Sequence, residues 1–361
     1  MKARHFFRRF GKWVTYPVGP FHKIGVPKIR EGTGVNDRAV SVLENYELEV
    51  IRTQKGRNAI LFETGQGWMI LKEYRGPAAR LEVLEKLLAA VEENGFMRAE
   101  KLIRNKDGAL VCTDLDQTAY IVKTWPGGRE CSLKDGQDCR EAVAVLARLH
   151  RAMCQPELVG ESGLKANSLA AEYEKRNREL KRVRRFLREK GQKTEFEIYL
   201  QQNFDPFLEE ALRVTEQVQA YGEVLGVKNI LESGSFCHGD YSHHNLLGHN
   251  GFSVINFEKY ALDSQMRDLY LFLRKLLEKT NWSVPMARGL LDVYDHEKKL
   301  TAQDTLQLYY RFAYPEKFWK IVNFYYNNGK AWIPGRNMEK LEKLLSQNPA
   351  KKAFLEQTFS L

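Results

Sequence analysis

Apolar positions change their spacing along this chain, and each change marks a different kind of element. Residues 46–53, 59–64 and 68–74 are short apolar runs separated by turn-forming residues, Lys55-Gly56-Arg57-Asn58 and Gly65-Gln66-Gly67. Runs of that length between such breaks predict three strands of a small antiparallel sheet. The spacing then shifts to threes and fours. Leu81, Leu84, Leu88 and Val91 line one face of a helix predicted over 77–94, which Gly95 ends. Residues 110–113 and 120–125 return to strand patterning, and Trp125-Pro126-Gly127-Gly128 breaks it. Beyond that break helical spacing dominates, with helices predicted over 135–153, 170–190, 205–221 and 263–279. The exception is the stretch 236–260. There Asn250-Gly251 lies between the apolar runs Leu246-Leu247 and 252–255, which predicts a tight hairpin. The pattern gives an α+β chain in three parts: an extension over 1–35, a strand-rich lobe over 36–125 and a helical lobe over 126–361.

Length and composition agree with this division. The 361 residues leave room for two lobes and a sizeable core, and 43% hydrophobic with 28% charged residues is the balance of a soluble globular protein. No apolar run is long enough for a membrane span. The basic N-terminus lacks the apolar stretch and cleavage site of a secretory signal. Five cysteines, Cys112, Cys131, Cys139, Cys154 and Cys237, form no C-x-x-C pair, which predicts free thiols in a reducing cytosol.

Charge sharpens the picture at two places. Residues 1–30 carry eight bases and no acid, and residues 174–190 carry nine bases and three acids, so the rest of the +10 chain is slightly acidic. The basic arm over 1–35, interleaved with aromatics and prolines, either meets an anionic surface or partner or packs as a plain terminal extension. The 170–190 helix presents a basic stripe to an anionic partner or is a solvated face. Nothing matches a nucleic-acid-binding module, so no specific nucleic-acid partner is expected. Ten aromatics in the 24 residues of 309–332 form either a core stripe or a wall for a cationic or sugar ligand.

The chemistry concentrates in 236–260. His238-Gly239-Asp240 is followed five residues after the aspartate by Asn245, then by the hairpin and Asn256-Phe257-Glu258. The hairpin would gather Asp240, Asn245 and Asn256 at one end of a ribbon. An aspartate to orient a hydroxyl and two oxygens to hold Mg²⁺ against phosphates is what phosphoryl transfer requires. The Asp-to-Asn spacing is that of the kinase catalytic loop.

H-G-D-x-x-x-x-N with a hairpin and I-x-F-E resembles the aminoglycoside phosphotransferase and choline kinase branch of the kinase fold. The chain as a whole resembles the bacterial spore coat protein S (CotS) family, through VLENYELEV at 42–50, ILKEY at 70–74, GGREC at 127–131, INFEK at 255–259, DLYLFLRK at 268–275 and YPEKFWK at 314–320. The resemblance implies a bilobal kinase-like α+β fold, ATP and Mg²⁺ as cofactors, and catalytic Asp240. It implies Asn245 and Asn256 as metal ligands and Lys72, on the third strand, as the phosphate-binding lysine. Glu85, or else Glu82, would pair with Lys72 from the following helix. The backbone of the hinge at Val122 and Thr124 would meet the adenine edge. Asp268 would anchor the catalytic loop, and His150 reads as a packing residue. Two departures stand out: the turn at 55–58 has a single glycine, and Asn256 stands where the kinase pattern has a metal-binding aspartate. An amide oxygen brings no charge to the metal. Glu258 would share a face with Asn256 if the strand continued that far and would then supply a carboxylate.

Two functions follow. One is an ATP-dependent phosphotransferase acting on a hydroxyl of a small molecule. The other is a pseudokinase, a degenerate kinase fold that meets coat proteins as a structural or assembly part of the spore coat. The family resemblance implies synthesis in the mother-cell cytoplasm and deposition on the spore.

Overall fold

The computed structural model describes residues 7–9, 12–14, 37–56, 59–222, 225–248, 250–327 and 334–359. Most of the basic arm, residues 57–58 of the single-glycine turn and Trp332 lie outside them. Residues 1–37 form one unit and 38–361 another. In the first, β1 (Phe7–Arg9) and β2 (Lys12–Val14) pair antiparallel.

Helix α1 (Asp37–Ser41) begins at the boundary, and a 3-10 turn over Val42–Asn45 then buries Val42 and Leu43. The first long strand therefore starts later than its apolar run suggested. The antiparallel sheet has the order β3 (Val50–Gly56), β4 (Ala59–Thr64), β5 (Gly67–Glu73), β8 (Ala119–Thr124) and β6 (Leu102–Ile103), with β7 (Cys112–Thr113) also on β8. β3 is an edge strand with its polar side chains exposed, which blunts the edge against further pairing. β4 alternates, burying Ile60, Phe62 and Thr64. Between β5 and β6 lies α2 (Ala78–Glu93), which buries Leu81, Leu84, Leu87, Leu88 and Val91.

After the break, β9 (Arg129–Glu130) leads into α3 (Gly136–Ala152), whose first amides are capped by Asp135. The helical lobe continues through α4 (Pro156–Ser162), α5 (Leu169–Glu189), α6 (Glu195–Gln202), α7 (Phe204–Ala220) and α8 (Val227–Ser233). The short strands β10 (Phe236–Cys237), β11 (Leu246–Gly248), β12 (Ser253–Val254) and β13 (Ala261–Leu262) carry the motif stretch. Helices α9 (Met266–Leu277), α10 (Val284–Glu297), α11 (Ala302–Ala313), α12 (Glu316–Asn327) and α13 (Pro334–Thr358) complete it. This is the bilobal α+β kinase-like architecture. The aromatic stretch is chiefly core: Tyr310, Phe312, Tyr314, Phe318 and Tyr325 are buried, with Tyr314 stacked on Tyr173 and Phe318 on Phe207. Among the described residues no helix is long and apolar enough to cross a membrane.

Candidate active site

The motif stretch folds as a loop held from beneath. β11 and β12 form the predicted hairpin, with Leu246 opposite Val254, although its loop is longer than two residues. Buried Asp268, at the start of α9, accepts from the amides of His238 at 2.6 Å and Gly239 at 2.9 Å. His238 Nδ1 accepts from the Asp240 amide, so its Nε2–H is free to donate to the Ile255 carbonyl at 2.9 Å. Gly239 has φ +79°, and a Cβ there would lie 2.0 Å from the Lys259 carbonyl, so no other residue fits. His150 completes the support between Asp268 and the Tyr294 hydroxyl. Burial disfavours its imidazolium, and its role is packing. Asp240 itself is half-exposed on the rim, its carboxylate 2.9 Å from Lys259 Nζ.

The opposite wall is the sheet. Lys72 on β5 and Lys123 on β8 share a face, because Ile70 pairs with Lys123 and Lys72 with Ile121. Both ammonium groups converge on the same oxygens. Lys72 Nζ is 3.0 Å from Asn256 Oδ1 and 3.2 Å from Glu258 Oε1. Lys123 Nζ, fully buried, is 3.1 Å from Asn256 Oδ1, 2.7 Å from Glu258 Oε1 and 2.9 Å from Glu100 Oε2. Its three N–H groups thus meet three acceptors. Glu100 Oε1 also accepts from the Phe257 amide, which ties the small-lobe segment after α2 to the motif stretch. Burial opposes the charges of Lys123 and Glu258, but the partners prevail. Glu100 and Glu258 hold Lys123 above the ordinary lysine range, and the Lys123 and Lys72 charges hold Glu258 down at about 2.

Several expected placements change. Lys72 does pair with a carboxylate, but with Glu258 rather than Glu85. Glu85 and Glu82 lie on the outer side of α2 and both bind Arg104, because that helix buries its leucine face instead. Glu258 reaches the cleft by a different geometry from strand alternation. Asn256 takes left-handed φ and ψ of 67° and 54°, and a 3-10 turn over Phe257–Lys259 follows. Val122 and Thr124 are within the sheet. The Thr124 amide donates to the Lys101 carbonyl and its hydroxyl accepts from the Lys101 amide, so that edge is already paired. Asp240, Asn245 and Asn256 do come together. Asn245 Nδ2 donates to the Asp240 carbonyl, and Asn256 Nδ2 donates to Asn245 Oδ1 at 2.9 Å. Lys123 and Glu100 escaped the reading of the sequence.

These residues do not fit Mg²⁺. The divalent ion requires anionic oxygens close by. Asn245 Oδ1 already accepts an amide hydrogen and Asn256 Oδ1 accepts from two ammonium groups, which dictate the orientation of the carboxamide. A cation on Asn256 would face the repulsion of Lys72 and Lys123. The nearest carboxylate, Glu258, is committed to both lysines. Among the described residues no group of three His, Cys, Asp or Glu side chains is placed to hold a metal. Beside the cluster lies a cleft lined by Lys72, Arg75 and Arg80 together with Glu73, Tyr74 and Glu258.

A small antiparallel sheet facing a helical lobe across an H-G-D loop defines a kinase-like fold of the aminoglycoside phosphotransferase type. Solved structures agree. An aminoglycoside phosphotransferase from Alicyclobacillus acidocaldarius subsp. acidocaldarius DSM 446 superposes with TM-score 0.76 at 18% identity, covering 91% of this chain and 96% of that one. Spectinomycin phosphotransferase APH(9)-Ia, solved with ADP and spectinomycin, gives TM-score 0.57 at 13% identity over 91% of this chain and 99% of that one. The amicoumacin kinase hAmiN, solved with AMP-PNP, Ca²⁺ and Ami, gives 0.52 at 14% over 90% and 94%. At these identities the likeness is one of fold. Within it, the chain belongs to the family described as "Spore coat putative kinase YutH", which it matches over residues 40–358.

Proposed function

We propose that this phosphotransferase-like protein of a spore-coat family is a non-catalytic kinase fold, and that its role is structural or in assembly within the coat. The observation that carries this reading is Lys123. Its ammonium, three-coordinated by Glu100, Glu258 and Asn256 Oδ1, occupies the oxygen of Asn256, the residue that stands where the kinase pattern has a metal-binding aspartate. The same cluster ties the two lobes together. Arg80 adds to it, donating to the Tyr260 carbonyl with its guanidinium over the Tyr260 ring. A cleft bolted in this way suits a rigid building block better than an enzyme that must admit and release nucleotide. The family supports deposition on the spore after synthesis in the mother-cell cytoplasm, with other coat proteins as partners.

One observation favours catalysis instead: the Asp240 loop is held in full by Asp268 and His238. In that reading nucleotide is a ligand, Lys72 leaves Glu258 to hold its phosphates, and Asp240 leaves Lys259 to take the proton of an acceptor hydroxyl. The deciding experiment measures ATP affinity with and without Mg²⁺, and phosphate transfer to a panel of hydroxyl acceptors, for the wild type and Asp240→Asn. The structural role predicts no turnover and an affinity, if any, indifferent to Mg²⁺. Mg²⁺-dependent turnover that disappears in Asp240→Asn would overturn it.

A further inference from the structure

Away from the catalytic loop, between α9, the α11–α12 junction and α13, lies a cavity of about 100 Å³. Phe207, Tyr270, Trp282 and Phe312 give it an aromatic wall. Two cationic side chains on its lining are only partly satisfied. Lys351 is 8% exposed, and among the described residues its Nζ donates only to the Ala313 carbonyl, at 3.2 Å. Arg274 donates through Nη1 to Glu278, but its buried Nε–H has no partner among the described residues. The two acids that line the cavity are already committed. Glu278 binds Arg274 and Lys317, and Glu316 binds the Tyr270 hydroxyl and Lys320. A buried ammonium with one hydrogen bond is costly, since the charges of Glu210, Glu278 and Glu316 offset its desolvation only in part. That burial also pushes the Lys351 ammonium below the ordinary lysine range. Water brings no charge to offset these cations, to which Lys317, Lys340 and Lys343 on the same lining add.

We propose that this cavity binds a small organic monoanion, a carboxylate with an apolar body of a few carbons, whose oxygens accept from Lys351 and Arg274 while the body lies against the aromatic wall. The volume sets the size. A cavity of about 150 Å³ admits benzene, so one of this volume suits a shorter chain. The charge mismatch sets the class, and the aromatic wall favours a carboxylate over inorganic phosphate.

The test is calorimetric titration of the full chain at neutral pH with butyrate, its neutral isostere butyramide, and inorganic phosphate. Butyrate should bind at least tenfold more tightly than butyramide or phosphate. Lys351→Met should remove that preference while folding at least as well as the wild type, since it deletes a poorly paired buried charge. Butyrate should also protect Lys351 of the wild-type chain from reductive methylation, read by peptide mass. Equal affinity for butyrate and butyramide, tighter binding of phosphate, no binding of butyrate, or no protection would each overturn the proposal.

Discussion

Removing the Lys123 ammonium tests the central cluster most directly. In Lys123→Met the side-chain volume is nearly kept, but Glu100 and Glu258 lose the charge they share, and Asn256 Oδ1 keeps only Lys72. Glu100 is left buried with the Phe257 amide as its recorded partner. Breaking one side of a buried ion pair costs about 3–5 kcal/mol, because the remaining charge is uncompensated. With a urea slope of about 3 kcal/mol/M, typical of the upper range for small proteins, the midpoint should fall by roughly 1 M or more. Adding Glu100→Gln should recover much of the loss, since a neutral amide needs no counter-charge and can still accept from Phe257. The variant should also gain what the wild type lacks. With the Lys123 ammonium gone, and with Lys72 exposed enough to turn away to solvent, Glu100, Glu258 and Asn256 become an oxygen set that a divalent cation can join. Millimolar Mn²⁺ or Ca²⁺ should therefore raise the melting temperature of Lys123→Met while leaving the wild type unmoved. A wild type stabilised by the cation, with an indifferent variant, would refute the argument. So would a Lys123→Met chain as stable as its parent.

Three further outcomes follow from the same geometry. Glu258 titrates from its ordinary 4.5 down to about 2 on folding, so its contribution is present above pH 4.5 and lost as pH falls through 2; that is about 3 kcal/mol, and Glu258→Gln should flatten the acid limb of stability by this amount between pH 5 and 2 in urea titrations. Asp268→Ala leaves the His238 and Gly239 amides without their acceptor and should cost about 2–5 kcal/mol, with hydrogen exchange at 238–240 at least tenfold faster; unchanged exchange would remove the anchoring role. Gly239→Ala meets the Lys259 carbonyl at a positive φ and should destabilise by several kcal/mol, read in thermal melts, and wild-type melting would contradict the loop geometry.

Much of the fold was legible because its signals are local. The leucine spacing of 77–94 and the apolar run Leu269–Leu277 within 263–279 are periodic patterns, and both form the expected helices, α2 and α9. The catalytic-loop residues were legible because function fixes their spacing in a short stretch. What escaped depended on partners distant in sequence. α2 offered two glutamates, and nothing in its own pattern says that Arg104 would claim both on its outer side. β6 is two residues long, too short to leave a pattern, yet it takes the outer edge of β8 that the adenine-binding reading of Thr124 required. Lys123 did leave a signal: it sits in the apolar run Ile121-Val122-Lys123, on the face that Ile121 buries. A lysine at a buried strand position requires a carboxylate partner, and Glu100 and Glu258 were the acids to search for.

The cluster also explains how the fold keeps its shape with Asn256 in place of an acid. A half-buried aspartate at 256 facing Lys72 and Lys123 without a metal would add a third anion to Glu100 and Glu258 against two cations. With asparagine the count closes at two charges of each sign, and the carboxamide can donate to Asn245 while it accepts from both lysines. The ionised aspartate could not donate that hydrogen bond, so Asn245 Oδ1 would lose its donor as well. Asparagine also enters the left-handed region, where Asn256 sits at φ 67°, more readily than most residues. The substitution and the second lysine are therefore parts of one arrangement. Lys123 supplies in place the positive charge that a metal would bring, and Asn256 removes the negative charge that a metal would require. A cleft balanced in that way holds its charges together without a metal, and this balance is what supports the structural role proposed above.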